Sequence, residues 1–228
     1  MIELEVCVER VDDALAAIEA GATRIELNCA LQLDGLTPSL GACEALTRQC
    51  NQPVIAMLRP HAAGFIYSPT DSQIILRDCQ LLLETGIAGI AFGSLTDCHE
   101  LELELLTQVR RASAGRVLVM HRAFDQTRDV ACGLEQLISC GVDRVLTSAG
   151  FPSAVLGAAR LRELQCQADG RIEILPGGGV LLENAIALLR QTGCKQVHGS
   201  FKRIDERGAL RPDLAQIAAL RALLDQLD

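Results

Sequence analysis

Four times in this chain a helical stretch runs out at a glycine and an apolar run begins two or three residues later. The joints are EAGATRIEL around Gly21, ETGIAGIAF around Gly86, SCGVDRVLT around Gly141 and QTGCKQVHG around Gly193. Glycine suits the left-handed residue that closes a helix, and so short a connection is an ordinary α-to-β turn. The hydropathy pattern around these joints lays out eight strands, near 2–8, 23–28, 53–59, 87–93, 116–122, 143–148, 172–176 and 195–199. Helical stretches alternate with them, at roughly 11–20, 40–50, 71–85, 100–113, 128–139, 153–168, 181–192 and 213–227. In the last, Leu220, Leu223, Leu224 and Leu227 keep the i, i+3, i+4, i+7 spacing of one helix face. Eight β-then-α units predict an α/β protein with a single closed (β/α)8 barrel of the TIM type. The competing open doubly wound sheet lacks its G-x-G-x-x-G after the first strand. No linker or low-complexity tract interrupts the pattern, so one domain is expected over 1–228, with short loops, since a barrel needs about 200 residues at minimum.

The strands end in polar chemistry. The run RVLVMHRAFD passes from four apolar residues into His121, Arg122 and Asp125. Glu5 and Cys7 close IELEVCV, Glu26 and Asn28 close RIELNC, Arg59 closes VIAMLR, Thr147 and Ser148 close RVLTS, and His198 and Ser200 close QVHGS. Charge at the end of a buried strand is unfavourable unless it is paired or put to use. Polar groups gathered at one end of many parallel strands are how such a barrel builds a site.

Alternation along each strand sorts these residues. Leu4, Val6 and Val8 form the helix-facing set of the first strand, so Glu3, Glu5 and Cys7 point inward. In the second strand Ile25, Leu27 and Cys29 face out, while Glu26 and Asn28 face in. Ile55, Met57 and Arg59 share the inward face of the third strand, Val117, Val119 and His121 that of the fifth, and Gln196, His198 and Ser200 share a face in the eighth. The candidate catalytic set at the mouth is Glu5, Glu26, Arg59, His121, Asp125 and His198. A structural ion-pair network is the competing reading of the same charges. The imidazoles are the side chains best suited to proton transfer near neutral pH.

A second component follows the seventh strand, where Pro176 leads into Gly177, Gly178 and Gly179 just before a helix. Backbone N–H groups there predict a phosphate or carboxylate cradle, with Ser200 and Arg59 as further anion contacts. A tight turn needing only positive φ accounts for the same glycines.

The net charge of −8, with no cluster of Lys or Arg, excludes non-specific nucleic-acid binding. No segment approaches the ~18 apolar residues of a membrane span. Glu3 and Glu5 stand where a secretion signal carries positive charge. The ten cysteines contain no C-x-x-C, which excludes zinc-ribbon and thioredoxin motifs and predicts mostly buried, reduced thiols. A cytoplasmic protein is expected.

Taken in order, LEVCV, RIEL, GLTPSLG at 35–41, RP with F-x-YS at 59–68, HRAFD at 121–125, RVLTS at 144–148, PGGGV at 176–180 and VH-x-S at 197–200 resemble the CutC family across almost the whole chain. The resemblance implies a TIM-type barrel, a cytoplasmic homo-oligomer (dimer or tetramer) and a role in copper homeostasis with Cu(I) as ligand. The family's copper site rests on two cysteines. Cys7 matches the first, but the second falls on Asn28, because RIELC reads RIELNC here, and by alternation the adjacent Cys29 faces the helices. After the third strand RPHAAGF replaces the family's RPRGGDF, with His61, Ala62 and Ala63 at altered positions, and Asp34 replaces a glycine. Three functions follow: a copper-homeostasis barrel holding Cu(I) weakly at Cys7, an acid/base enzyme on a small phosphorylated or carboxylated metabolite, or a non-catalytic binding barrel. The partner is in each case a small molecule or a metal ion.

Overall fold

A computed structural model describes residues 2–206 and 208–227. Eight parallel strands form one sheet: β1 (Glu3–Val8), β2 (Arg24–Leu27), β3 (Val54–Met57), β4 (Gly89–Phe92), β5 (Val117–Met120), β6 (Arg144–Thr147), β7 (Glu173–Pro176) and β8 (Gln196–Gly199). They run in the order β7-β6-β5-β4-β3-β2-β1-β8, so the sheet curls until its two end strands meet. The Gln196 side-chain amide donates to the Ile174 carbonyl across that seam at 3.2 Å. This is the expected (β/α)8 barrel.

Helices α1 (Val11–Glu19), α2 (Leu40–Thr47), α3 (Pro69–Glu84), α4 (Leu103–Ala112), α5 (Val130–Ser139), α6 (Ala158–Ala168), α7 (Leu182–Thr192) and α8 (Leu214–Leu224) wrap the sheet. Their starts are set by local chemistry. Ser68 and Asp71 form a reciprocal capping box with Pro69 in the first turn of α3, and Asp129 and Asp213 accept from the first amides of α5 and α8. The first turn of α6 comes later than periodicity suggests. A Cβ on Gly157 would lie 2.1 Å from the Ser148 carbonyl, so the loop after β6 packs against the strand end before any helix begins. The hairpin β9 (Lys202–Ile204) and β10 (Leu210–Pro212), inserted between β8 and α8, carries no apolar alternation and was not expected.

Two apolar bodies hold the fold. Leu4, Val6, Ile25, Leu27, Ala56, Ile90, Leu118, Val145, Ile174 and Val197 face the helices in one continuous core. Inside the barrel, Ile55, Met57, Ala91, Val119, Leu146 and Leu175 make a smaller separate cluster. All six come from β3 to β7. The interior of β8, β1 and β2 is instead polar, with Glu5, Arg24, Glu26, Gln196 and His198 all buried. The inward and outward sets thus follow strand alternation.

Gly89 marks how tightly the interior closes, because a Cβ there would sit 2.2 Å from the Val117 carbonyl on the next strand. Backbone cannot yield as a flexible side chain does. Gly89→Ala is therefore expected to lower the free energy of unfolding by about 1–3 kcal/mol; a urea midpoint equal to that of the unmodified chain would show that β4 and β5 have slack at this point.

Candidate active site at the barrel mouth

The C-terminal ends of the strands surround a cavity of about 530 Å³, a size suited to a small ligand. Cys7, Glu26, Asn28, Arg59, His121, Arg122, Asp125, Gly178, Gly179, His198 and Ser200 all line it. Of the residues singled out from sequence, Glu5 and Gly177 do not reach the cavity surface. Glu5 lies beneath it, and the Gly177 amide donates to the Thr147 carbonyl at 3.0 Å. His61 stands apart, 3.4 Å from the Asp71 carboxylate and tilted against the Tyr67 ring.

Under the mouth runs a buried polar chain. Arg24 Nε donates to Glu5 Oε2, and Arg24 Nη2 donates to Gln196 Oε1 at 2.9 Å. The other Glu5 oxygen meets His198 Nδ1 at 2.7 Å. Burial alone would raise the Glu5 pKa, but Arg24 and His198 overrule it and hold the carboxyl at about 2. His198 is likewise opposed by burial, yet Cys7 and Glu26 opposite it, with hydrogen bonds to Cys7 and Glu5, push its pKa well above the ordinary imidazole value. Glu26 moves the other way. Burial is the main cause of its raised pKa, despite the Asn28 amide donating to Glu26 Oε2 at 2.9 Å. Cys7, Glu26 and His198 each present a ligand-type atom, all within 4.8 Å of one another. Cys29, past the end of β2, is exposed and its backbone bridges to Leu36.

Across the cavity His121 is built differently. Gly93 makes room for it, since a Cβ there would come within 2.7 Å of the ring. Its Nδ1 accepts from the Ala123 amide at 3.1 Å. Burial first, and then the Arg59 charge, lower its pKa to about 3. The ring is therefore neutral at physiological pH, with its proton on Nε2, and that buried atom has no partner among the described residues. Arg59 Nη1 donates to the carbonyls of Leu33 at 2.8 Å and Gly35 at 3.1 Å, and the guanidinium lies 4.8 Å from the Phe65 ring centre. Its Nε, and the side-chain oxygen of Asn28, are also buried without partners among the described residues.

After β7 the backbone turns through positive φ at Gly178 (+95°) and Gly179 (+72°). The amides of Gly178, Gly179 and Val180 donate to no acceptor among the described residues. Asn184 fixes the turn, accepting from Leu181 N and donating to the Gly179 carbonyl, both at 2.9 Å. The Arg122 guanidinium lies over it, 3.1 Å from where a Cβ of Gly178 would be. Arg122 is aimed by Asp125 at 2.8 Å and Ser148 at 3.1 Å. Asp125 is fully engaged, for it also accepts from Thr147 Oγ1 and from the amides of Ser148 and Gly150.

Two residues of the mouth stand outside the candidate set: Arg24, which the sequence reading did not single out, and Arg122, which it named at the strand end but gave no role. Arg24 shares the inward phase of Glu26, two residues away, and that alternation was the signal for it. Arg122 sits one residue out of phase on the strand end, and nothing but its place between His121 and Asp125 marks it.

Comparison with known proteins gives a consistent picture. The CutC family model matches residues 2–203. A family protein CutC from Treponema denticola is 40% identical, over 90% of this chain and 84% of that protein. Its counterpart from Sinorhizobium medicae is 38% identical, over 99% and 97%. Among solved structures, a CutC chain from Streptococcus agalactiae, provisionally named for copper homeostasis, superposes with a TM-score of 0.84 at 30% identity, covering 88% of this chain and 99% of its own. Phosphoribosyl anthranilate isomerase from Thermus thermophilus shares the fold alone, with a TM-score of 0.62 at 15% identity and full coverage of both chains.

The Glu5 shift has a consequence for stability. Its folded pKa lies below the unfolded value of 4.5, so the ionised group stabilises the fold above about pH 4.5, and that contribution is lost as pH falls toward 2. Urea midpoints measured across this window should fall by more in the unmodified chain than in Glu5→Gln, which has no proton to take up; parallel curves would contradict the assignment.

Proposed function

This chain belongs to the CutC family, and from that premise we propose that its barrel mouth binds and transforms a small phosphorylated or carboxylated metabolite. The observation that carries the reading is the run of three unpaired amides, Gly178 to Val180, under the Arg122 guanidinium. Consecutive free N–H groups in a left-handed turn concentrate partial positive charge on one point, and a guanidinium beside them adds directional donors for an oxyanion. In a chain of net charge −8, an anion needs such a local arrangement.

The anion anchored there places the rest of a short molecule between His121 and the Cys7–Glu26–His198 cluster. The His121 Nε2–H is a neutral donor fixed at the wall, suited to a carbonyl or an oxyanion that gains charge during reaction. Glu26, whose pKa is raised chiefly by burial, lines the same cavity beside Cys7 and His198 and completes the polar wall that meets the ligand. Arg59 commits Nη1 to the loop carbonyls of Leu33 and Gly35 and keeps a buried Nε without a partner among the described residues, so it offers the ligand both charge and a donor. Ten free thiols support a cytoplasmic setting, and no helix among the described residues is long and apolar enough to cross a membrane.

Copper enters through the name of the Streptococcus agalactiae relative. Soft Cu(I) asks for thiolate or thioether donors. The mouth offers one thiol, Cys7, with the thioether of Met57 on the cavity wall, while Cys29 is exposed and does not line the cavity, so the donor set is a poor fit for tight Cu(I) binding. An anaerobic competition titration with a chromophoric chelator should find weak binding, and Asn28→Cys, which adds an inward thiol beside Glu26, should tighten it. Tight binding that survives Cys7→Ala would overturn this account of copper.

The anion site is tested by calorimetry with inorganic phosphate and with phosphorylated small metabolites. Arg122→Ala is expected to weaken binding roughly 10–100-fold, the range for one hydrogen bond to a charged group. Equal affinity in the two proteins would remove Arg122 and the glycine turn from the site.

A further inference from the structure

The misfit with copper points to a different cargo for the same atoms. We propose that Cys7, Glu26 and His198 form a three-ligand site for a divalent cation of the zinc class, with its fourth position open to the cavity.

Donor chemistry is the first support. One thiolate, one carboxylate and one imidazole suit a borderline divalent ion, and three protein ligands with an open position are the pattern of a reactive rather than a purely structural centre. Geometry is the second. The three ligand atoms lie within 4.8 Å of one another; bonds of about 2.0–2.3 Å in a tetrahedron bring them together with small side-chain shifts. The residues stand on β8, β1 and β2, and Cys7 is registered directly beside Glu26, so the ligands sit on sheet rather than on loops.

The surroundings are the third support. Glu5 engages His198 Nδ1 at 2.7 Å, with Arg24 behind it, which leaves Nε2 for an ion. Carboxylate–histidine pairs of this kind fix the ring that binds a metal. Asn28 holds one Glu26 oxygen and leaves the other, and Glu26 has no Arg or Lys within ion-pair distance among the described residues. Only thiolate, carboxylate and neutral imidazole coordinate, so metal loading releases to solvent whatever protons the three side chains share. The other buried cysteines, Cys43, Cys79 and Cys194, do not line this cavity.

The inference shares the mouth with the proposed function but not its premise, because Arg122 and the glycine turn supply no ligand. Co²⁺ is the probe, added to the metal-free full chain under reducing conditions. The expected result is one ion per chain, with a near-ultraviolet sulfur-to-cobalt charge-transfer band that disappears in Cys7→Ser. Glu26→Gln should keep the band and lose at least tenfold in affinity, and Glu5→Gln should lose 10–100-fold, as outer partners of metal sites do. Urea unfolding of each metal-free variant shows that it is folded before titration; if Cys7→Ser does not fold, Glu26→Gln and Glu5→Gln decide. Arg122→Ala should bind Co²⁺ as the unmodified chain does while losing phosphate, so the two readings fail separately. Absence of Co²⁺ binding, a band that persists without Cys7, or affinity unmoved by both carboxylate variants overturns the proposal.

Discussion

The buried line from Arg24 through Glu5 to His198 is the constraint on which the rest of the mouth depends. Three charged or titratable groups inside a barrel are tolerable only when each satisfies the next, and removing one partner from such a line typically costs about 3–5 kcal/mol. Arg24 is further tied to Gln196 across the seam strand. The line therefore spans β2, β1 and β8. On the opposite side, an apolar cluster from β3 to β7 fills the interior, and buried Arg144 at the start of β6 is paired with Glu173 on β7. One consequence reaches the cavity directly: the rotation of the His198 ring is set from below by Glu5, so its remaining nitrogen meets Cys7 and Glu26 without help from any loop.

The fold was legible because two periodicities agree. Helix-ending glycines mark the joints, and strand alternation separates the core-facing set Leu4, Val6 and Ile25 from the inward set Glu5, Cys7 and Glu26. The same alternation put Cys7 at the cavity, while Cys29, expected against the helices, is exposed past the end of β2. What alternation does not carry is partner choice. Arg59 looked like the natural counter-charge to the carboxylates, yet its guanidinium is turned to the carbonyls of Leu33 and Gly35. Glu5 is served by Arg24, from the same strand as Glu26. Nor does sequence show which atoms are left over. That His121 ends as a neutral donor follows from a backbone contact, the Ala123 amide on Nδ1, and contacts of that kind arise only when the chain turns after β5. His61, at a position that departs from the family pattern, is held by Asp71 at the start of α3, and sequence distance from Arg59 gave no hint of that.

Asp125, a strand-end acid of the candidate set, is engaged on all sides by its neighbours. It collects the Thr147 hydroxyl, two amides of the loop after β6, and Arg122. It holds the guanidinium that covers the glycine turn. In the HRAFD run His121 faces the cavity, Arg122 reaches over the glycine turn, and Asp125 fixes the angle between them.

The one-residue difference between RIELC and RIELNC carries more consequence than its size suggests. Moving a thiol by one position along a strand turns it to the opposite face, and Cys29 is exposed and absent from the cavity lining. The amide left in its place donates to Glu26 and keeps that carboxylate beside Cys7 and His198. Loss of one soft donor and retention of a hard one shift the preference of the cluster from a monovalent soft ion toward a divalent borderline ion. The strand, its neighbours and the buried arginine beneath are unaffected by such a change. The barrel supplies the positions, and the residue at the inward phase of β2's end decides which chemistry those positions hold.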